Sequence, residues 1–161
     1  YDSKFIFEEM GYNFLPTEIS AAFGLIQLKK LTKFAEIRDR NFKNLHSFFA
    51  SNKFFKIPKQ LPQVKTSWMN FPLTIVSDAP FSRMELVKYL ETNNIQTRPI
   101  FTGNVLRQPA FKKINYKNIG KEFSVANNIM ENSFLIGCNH GLNEKHMEKI
   151  KQSFTSFLDR F

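Results

Sequence analysis

Gly11-Tyr12-Asn13-Phe14-Leu15-Pro16-Thr17-Glu18-Ile19-Ser20-Ala21-Ala22-Phe23-Gly24-Leu25-Ile26-Gln27-Leu28-Lys29-Lys30-Leu31 is a tight turn that runs directly into a helix. Pro16 cannot lie deep in a helix, the Thr17 hydroxyl can cap one, and Glu18 puts negative charge where the free N–H groups of a first turn favour it. The helix is therefore expected to start near Thr17. Ile19, Ala22, Phe23, Ile26, Leu28, Leu31, Phe34 and Ile37 then recur mostly three or four apart, with Lys29, Lys30 and Lys33 between them, so one apolar face seeks a core. The pattern continues through Phe42, Leu45, Phe48 and Phe49 to Ser51-Asn52. More than thirty residues at 1.5 Å each would reach ~48 Å, longer than a small domain is wide, so a bend is expected near Thr32 or Phe34.

Downstream of this helix the elements are short and marked by proline. Phe54 to Ile57 is a strand candidate closed by Pro58, and Ser67 to Val76 is the strongest strand pattern in the chain. Pro72 cannot donate to a ladder, which predicts an edge position or a bulge. Ser82-Arg83-Met84-Glu85 has the spacing of a capping box, so a helix is expected there, with Leu86, Val87 and Leu90 on its buried face and its end at Asn93-Asn94. A second strand is expected over Ile95 to Phe101, interrupted by Pro99. It opens into the polar loop Thr102 to Phe111. A helix around Phe123 to Met130, a strand over Phe134 to Gly137, and a last helix capped by Asn143 with Met147, Ile150, Phe154, Phe157 and Phe161 on one face complete the order. Helices separating a few short strands give an α/β two-layer sandwich: a small, mostly antiparallel sheet covered by helices and preceded by a long helix.

Composition sets limits on function. The 161 residues suffice for one core, and 42% hydrophobic with 15% aromatic residues excludes a disordered chain. Nineteen Phe exceed what a lone small domain easily hides. Either the core is Phe-rich or some of these rings face another domain or subunit. Cys138 is the only cysteine, which excludes an internal disulfide, and no Cys/His spacing resembles a zinc site. A reducing, cytoplasmic location is expected, and no apolar run approaches the ~20 residues of a membrane span. The pattern opens in mid-course at Tyr1, so the chain is expected to be a piece of a longer one. The net charge of +9 is spread through every segment with acidic residues interleaved. It reads as a solvated basic surface, with attraction of an anionic ligand such as a nucleotide diphosphate as the sharper alternative.

Gly11-Tyr12-Asn13, followed by Ala21-Ala22-x-Gly24-x-x-Gln27-Leu28-x-x-Leu31, resembles the signature of the DegT/DnrJ/EryC1/StrS family of sugar-nucleotide aminotransferases and dehydratases, which use pyridoxal or pyridoxamine phosphate. The likeness continues through Ser67-Trp68, Phe71-Pro72-Leu73, Phe81-Ser82-Arg83-x-Glu85-Leu86, Thr97-Arg98 and Gly141-Leu142. Phe101-x-Gly103-Asn104-x-x-Arg107-Gln108-Pro109-x-Phe111 is the most specific part and resembles the branch that removes the 3-hydroxyl of a nucleotide-linked 4-keto-6-deoxyhexose. The resemblance implies the aspartate aminotransferase (fold type I) architecture, with residues 1–16 as a crossing segment from a missing cofactor domain and 17–161 as the small carboxy-terminal α/β domain. In that branch a His replaces the cofactor-holding Lys. The matching position is expected before Tyr1, which leaves dehydratase and aminotransferase open. This chain alone is then expected to be inactive.

Candidate site residues are few, and the residues show no nucleophilic grouping, phosphate loop or metal set. Asn13, in a turn before a helix, carries donors that suit a phosphate, or it simply makes the turn. The resemblance implies that it reaches the cofactor phosphate of the other subunit, which makes the parent enzyme a homodimer. Many aminotransferase members carry Arg two residues after this Asn, where this chain has Leu15, as fits the dehydratase branch better. Arg98 and Arg107 flank a loop with Thr102 and Asn104, so forked donors can hold a diphosphate or sugar hydroxyls of a nucleotide-sugar substrate; the plainer reading is two surface arginines. Arg98 is the stronger, because strands hold side chains more rigidly than loops. His46 reads as packed or surface, His146 as solvent-facing in the first turn of the last helix, and His140 as a turn residue before a site residue. If the enzyme is a 3-dehydratase, the resemblance also implies an iron–sulfur reductase partner. The alternative is a non-catalytic basic α/β module that binds nucleic acid or protein, which no nucleic-acid motif supports.

Overall fold

The computed structural model describes residues 9–12, 14–117 and 123–161. Asn13 and residues Tyr1 to Glu8, within the expected crossing segment, lie outside the described residues. The chain divides into two compact units, Tyr1–Thr32 and Lys33–Phe161.

Helix α1 spans Glu18–Phe49 without a break, one residue after the expected cap. Thr17 does cap it, its hydroxyl accepting the Ser20 N–H at 3.3 Å. The boundary between the two units falls within this helix, between Thr32 and Lys33. Among the described residues of the first unit the apolar positions stand exposed: Ile19 is 84% and Phe23 68% exposed. Burial starts in the second unit, where Asn41, Phe42, Leu45 and Phe49 are covered.

The second unit is a two-layer sandwich. Strands β1 (Phe55–Lys56), β2 (Asn70–Ile75), β3 (Thr97–Pro99) and β4 (Ser133–Gly137) form one sheet in the order β1-β2-β4-β3, every pairing antiparallel. Alternation along the strands points Phe71, Leu73, Ile75, Phe134 and Ile136 to one face. There they meet Phe42, Leu45 and Phe49 of α1, Leu86 and Leu90 of α2 (Arg83–Thr92), and Met147, Ile150, Phe154 and Phe157 of α4 (Glu144–Leu158). Phe rings dominate the contact: Phe49 meets Phe55, Phe71 and Phe154 at centroid distances of 5.5, 5.8 and 4.9 Å. The Phe surplus thus divides, part forming this core and part standing exposed, as Phe14, Phe23, Phe101 and Phe161 do.

The expected caps form. Ser82 and Glu85 complete their capping box, and Asn143 caps α4 with His146 as the reciprocal partner. One expectation needs correcting. Pro72 lies neither on an edge strand nor in a bulge: β2 is internal, and Pro72 sits in register with Leu135 of β4. The Met69 carbonyl accepts from Cys138 on the β4 side, while the Val76 N–H donates to Phe54 on the β1 side. Odd residues of β2 therefore bond toward β4 and even residues toward β1. The donor that Pro72 lacks would point to β1, which has already ended at Lys56, so the ladder loses nothing.

The expected strand Ile95–Phe101 is shorter, because its ends are turns. Ile95 N–H closes α2 on the Leu90 carbonyl after Asn94 at φ 59°, and Phe101, at φ 45°, donates back to Pro99. Pro99 is on an edge strand, where its missing donor is tolerated. Helix α3 (Ser124–Asn132) packs against β2 and β4.

Candidate functional site

Three contacts dock the loop after β3 onto one side of α3. Gly103, at φ +63°, lies so close to Met130 that a Cβ there would come within 2.4 Å of the Met130 Cβ. Asn104 is 6% exposed; its amide donates to Asn127 Oδ1 at 2.8 Å and its own Oδ1 accepts the Leu106 N–H at 3.0 Å, capping the 3₁₀ turn Val105–Arg107. Arg107 forms an ion pair with Glu131 at 2.6 Å, half-exposed on both sides. The carbonyl of the same Glu131 accepts from Arg83 Nε at 2.8 Å. Asn104 and Arg107 are thus brought together on α3, with donors engaged inside the chain.

Arg98 is placed elsewhere. It stands exposed on β3 opposite Leu135, on the sheet face away from the Phe core, and lines a cleft of roughly 260 Å³ at the β3 edge. The cleft also takes side chains from β2 and its approach (Asn70), from the α2–β3 link (Gln96), from the loop after β4 (Asn139) and from α4 (His146, Lys149). No carboxylate lines it, and neither Arg98 nor Lys149 is in an ion pair among the described residues. His146 accepts the Asn143 N–H on Nδ1 at 3.1 Å, which leaves the proton of the neutral ring on Nε2. Two free cations and several amides converge on one concave space, an arrangement suited to an anion carrying hydroxyl-rich substituents. Nearby, Thr97 donates to Glu91 from its backbone N–H and its hydroxyl, which holds the Glu91 carboxyl below its ordinary range, with Arg98 adding attraction.

Sequence reasoning singled out Arg98 but missed Lys149, Asn70 and Asn139 beside it. His146 and Lys149 are one turn apart on α4, a local signal; that this turn faces β3 is set by the pairing of β3 with β4, far away in sequence. His46 packs near Phe42 at 5.8 Å between centroids, and His140 stacks on Phe34. Cys138 is buried, its thiol pushed up to about 12 by that burial, so it stays protonated and unreactive. No group of three or more metal-ligating side chains occurs among the described residues, and none of their helices is long and apolar enough to cross a membrane.

The profile of the DegT/DnrJ/EryC1/StrS aminotransferase family matches residues 1–155. The chain is 35% identical over 159 residues to the lipopolysaccharide biosynthesis protein RfbH of Salmonella typhimurium, covering 98% of this chain and 36% of that protein. To the GDP-4-keto-6-deoxy-D-mannose 3-dehydratase of Yersinia pseudotuberculosis it is 34% identical over 154 residues, 96% of this chain and 38% of the other. The solved E. coli GDP-4-keto-6-deoxy-D-mannose-3-dehydratase with bound hydrated PLP superposes with a TM-score of 0.80 at 28% identity, over 93% of this chain and 38% of that one. The chain therefore spans little more than a third of the proteins it resembles.

Proposed function

The chain belongs to the DegT/DnrJ/EryC1/StrS aminotransferase family, and from that premise we propose that it is the carboxy-terminal part of a pyridoxal- or pyridoxamine-phosphate-dependent enzyme acting on a nucleotide-linked 4-keto-6-deoxyhexose. In this reading residues 1–16 are the crossing segment and 17–161 the small domain. The reaction is 3-dehydration or transamination in deoxysugar or surface-polysaccharide synthesis. The working enzyme is a homodimer, with an iron–sulfur reductase as partner if it is a dehydratase. The observation that carries the reading is the cleft in which, among the described residues, no carboxylate lines the wall and Arg98 and Lys149 have no ion-pair partner. Its chemistry suits the diphosphate of a nucleotide sugar, with Asn70, Gln96 and Asn139 as partners for hydroxyls or a base edge.

Asn104 and Arg107, on the loop docked against α3 and away from this cleft, enter the proposal as further substrate contacts that form when their bonds to Asn127 and Glu131 open. The described residues do not make a complete holder for the cofactor. Gly11 and Gly24, both within the motif, stand in open space, where among the described residues nothing lies within 4 Å of the place a Cβ would take, and these residues give the cleft no glycine loop to wrap a phosphate. Holding the cofactor falls to the length that the relatives carry beyond the span matched here, with Asn13 as this chain's contribution to its phosphate.

Titration calorimetry with a nucleoside diphosphate tests the cleft. Binding that weakens about tenfold in Arg98→Ala, the loss of one charge-assisted contact, is the expected result. Affinity unchanged in both Arg98→Ala and Lys149→Ala would remove the cleft from the proposal. A parallel absorbance titration with pyridoxal phosphate should give no saturable imine band for this chain alone.

A further inference from the structure

Phe34, Arg38 and Asn41 follow one another at four and three residues, so they share a face of α1. All three hold the loop Cys138 to Leu142. The Phe34 ring stacks on His140 with centroids 3.8 Å apart and planes 18° from parallel. Arg38 donates from Nη2 to His140 Nδ1 at 3.1 Å and from Nη1 to Ser67 Oγ at 3.1 Å. Asn41, 1% exposed, donates to the carbonyls of Asn139 and Leu142 at 2.9 and 3.0 Å. The Cys138 thiol lies 3.8 Å from the Arg38 carbonyl. Arg38 Nε is buried with no partner among the described residues, so within them the guanidinium is held through its two terminal nitrogens.

A guanidinium only donates, so His140 must present a lone pair on Nδ1 and carry its proton on Nε2. A second proton has only Nδ1 to occupy, where it would face a cation. Nothing negative offsets it: no carboxylate pairs with Arg38 or His140 among the described residues. On the surrounding elements, Asp39 of α1 is bound to Lys43, and Glu36 lines a groove with Asp39, Lys65 and Ser67. Cys138 is neutral, and at the start of α4 stand Glu144, Lys145 and His146, the last bonded to Asn143. The Phe34 face accepts a neutral or a charged ring, so the discrimination rests on Arg38.

We propose that Arg38 and His140 form a proton-operated clasp: the neutral imidazole ties α1 to the 138–142 loop, and the protonated one releases it. Asn139 and Leu142 belong both to this loop and to the lining of the Arg98 cleft. Release therefore loosens a wall of the cleft, a consequence that rests on the function proposed for it; the clasp itself does not.

Hydrogen exchange of the full chain, followed by mass spectrometry over about pH 5 to 8 where imidazoles titrate and corrected for the intrinsic rate, tests the clasp without any ligand. Protection of peptides covering 34–41 and 138–142 should fall roughly tenfold toward acid, as expected for one lost charge-assisted bond. His140→Asn keeps an acceptor for Arg38 without a titrating group and should show a flat profile. A flat profile in the unsubstituted protein, or the same acid loss in His140→Asn, would overturn the clasp. Nitrogen chemical shifts of His140 in the unsubstituted protein decide independently of any variant's folding: protonated Nε2 with bare Nδ1 is required near pH 8, and the opposite tautomer refutes the proposal.

Discussion

Thr97 gives both of its donors to one oxygen of Glu91, the backbone N–H at 2.6 Å and the hydroxyl at 2.8 Å. The contact joins the last turn of α2 to the first residue of β3, one position before Arg98, and so orients the strand that carries the cleft arginine.

Both donors favour the ionised carboxylate, which is why Glu91 is held below the ordinary range. A lowered folded-state value means that the stabilisation is complete above the unfolded value, about 4.3, and disappears as pH falls through the folded one. Thermal melts of Glu91→Gln should therefore lose less stability than the unsubstituted protein on going below about pH 4.3. Glu85 and Glu148, held low by Ser82 and Lys151, retain part of the slope. An unchanged acid slope in Glu91→Gln would show that the bond contributes nothing.

Gly103→Ala should destabilise by about 2–3 kcal/mol, from a left-handed backbone and from overlap with Met130. The overlap involves the Met130 Cα as well as its side chain, so rotamer change alone cannot relieve it. Denaturant unfolding reads the loss, and a change under 0.5 kcal/mol, within the range of an ordinary surface substitution, would mean that the loop moves freely from α3.

Asn104 and Arg98 should separate into different effects. Asn104→Ala removes a buried cap and the bond to Asn127, and is expected to cost about 1–2 kcal/mol of stability. Arg98→Ala touches no intramolecular bond of its own among those described and should leave the melting temperature unchanged while weakening nucleotide binding. If Asn104→Ala melts normally yet binds poorly, the residue contacts ligand directly.

What was legible in the sequence was what is local. The Ser82–Glu85 and Asn143 caps, the start of α1 at Thr17 and the alternation in β2 each depend on residues within a turn or a strand, and they stand where expected. Pro72 was misplaced because its tolerance depends on where β1 stops, a fact of pairing between segments. The partners of Arg107 and His140 lie 24 and 102 residues away, so no spacing rule reaches them. The first half of α1 reads as a core-seeking face, yet Ile19, Phe23 and Ile26 stand exposed among the described residues.

Ile19, Phe23 and Ile26, four and three residues apart, are 84, 68 and 49% exposed, and Leu25, Leu28 and Leu31 are at least half exposed beside them. Contiguous apolar surface of this kind drives association when nothing else covers it. Sedimentation velocity should show the chain self-associating with rising concentration, and Phe23→Glu together with Ile26→Lys should shift it toward monomer. Because these positions are already in water, the pair should change stability by less than about 0.5 kcal/mol each. That makes folding and association separable in one sample. A chain that stays monomeric at high concentration would mean that the helix face is tolerated in water as it stands, and would remove the reason to expect a partner surface there.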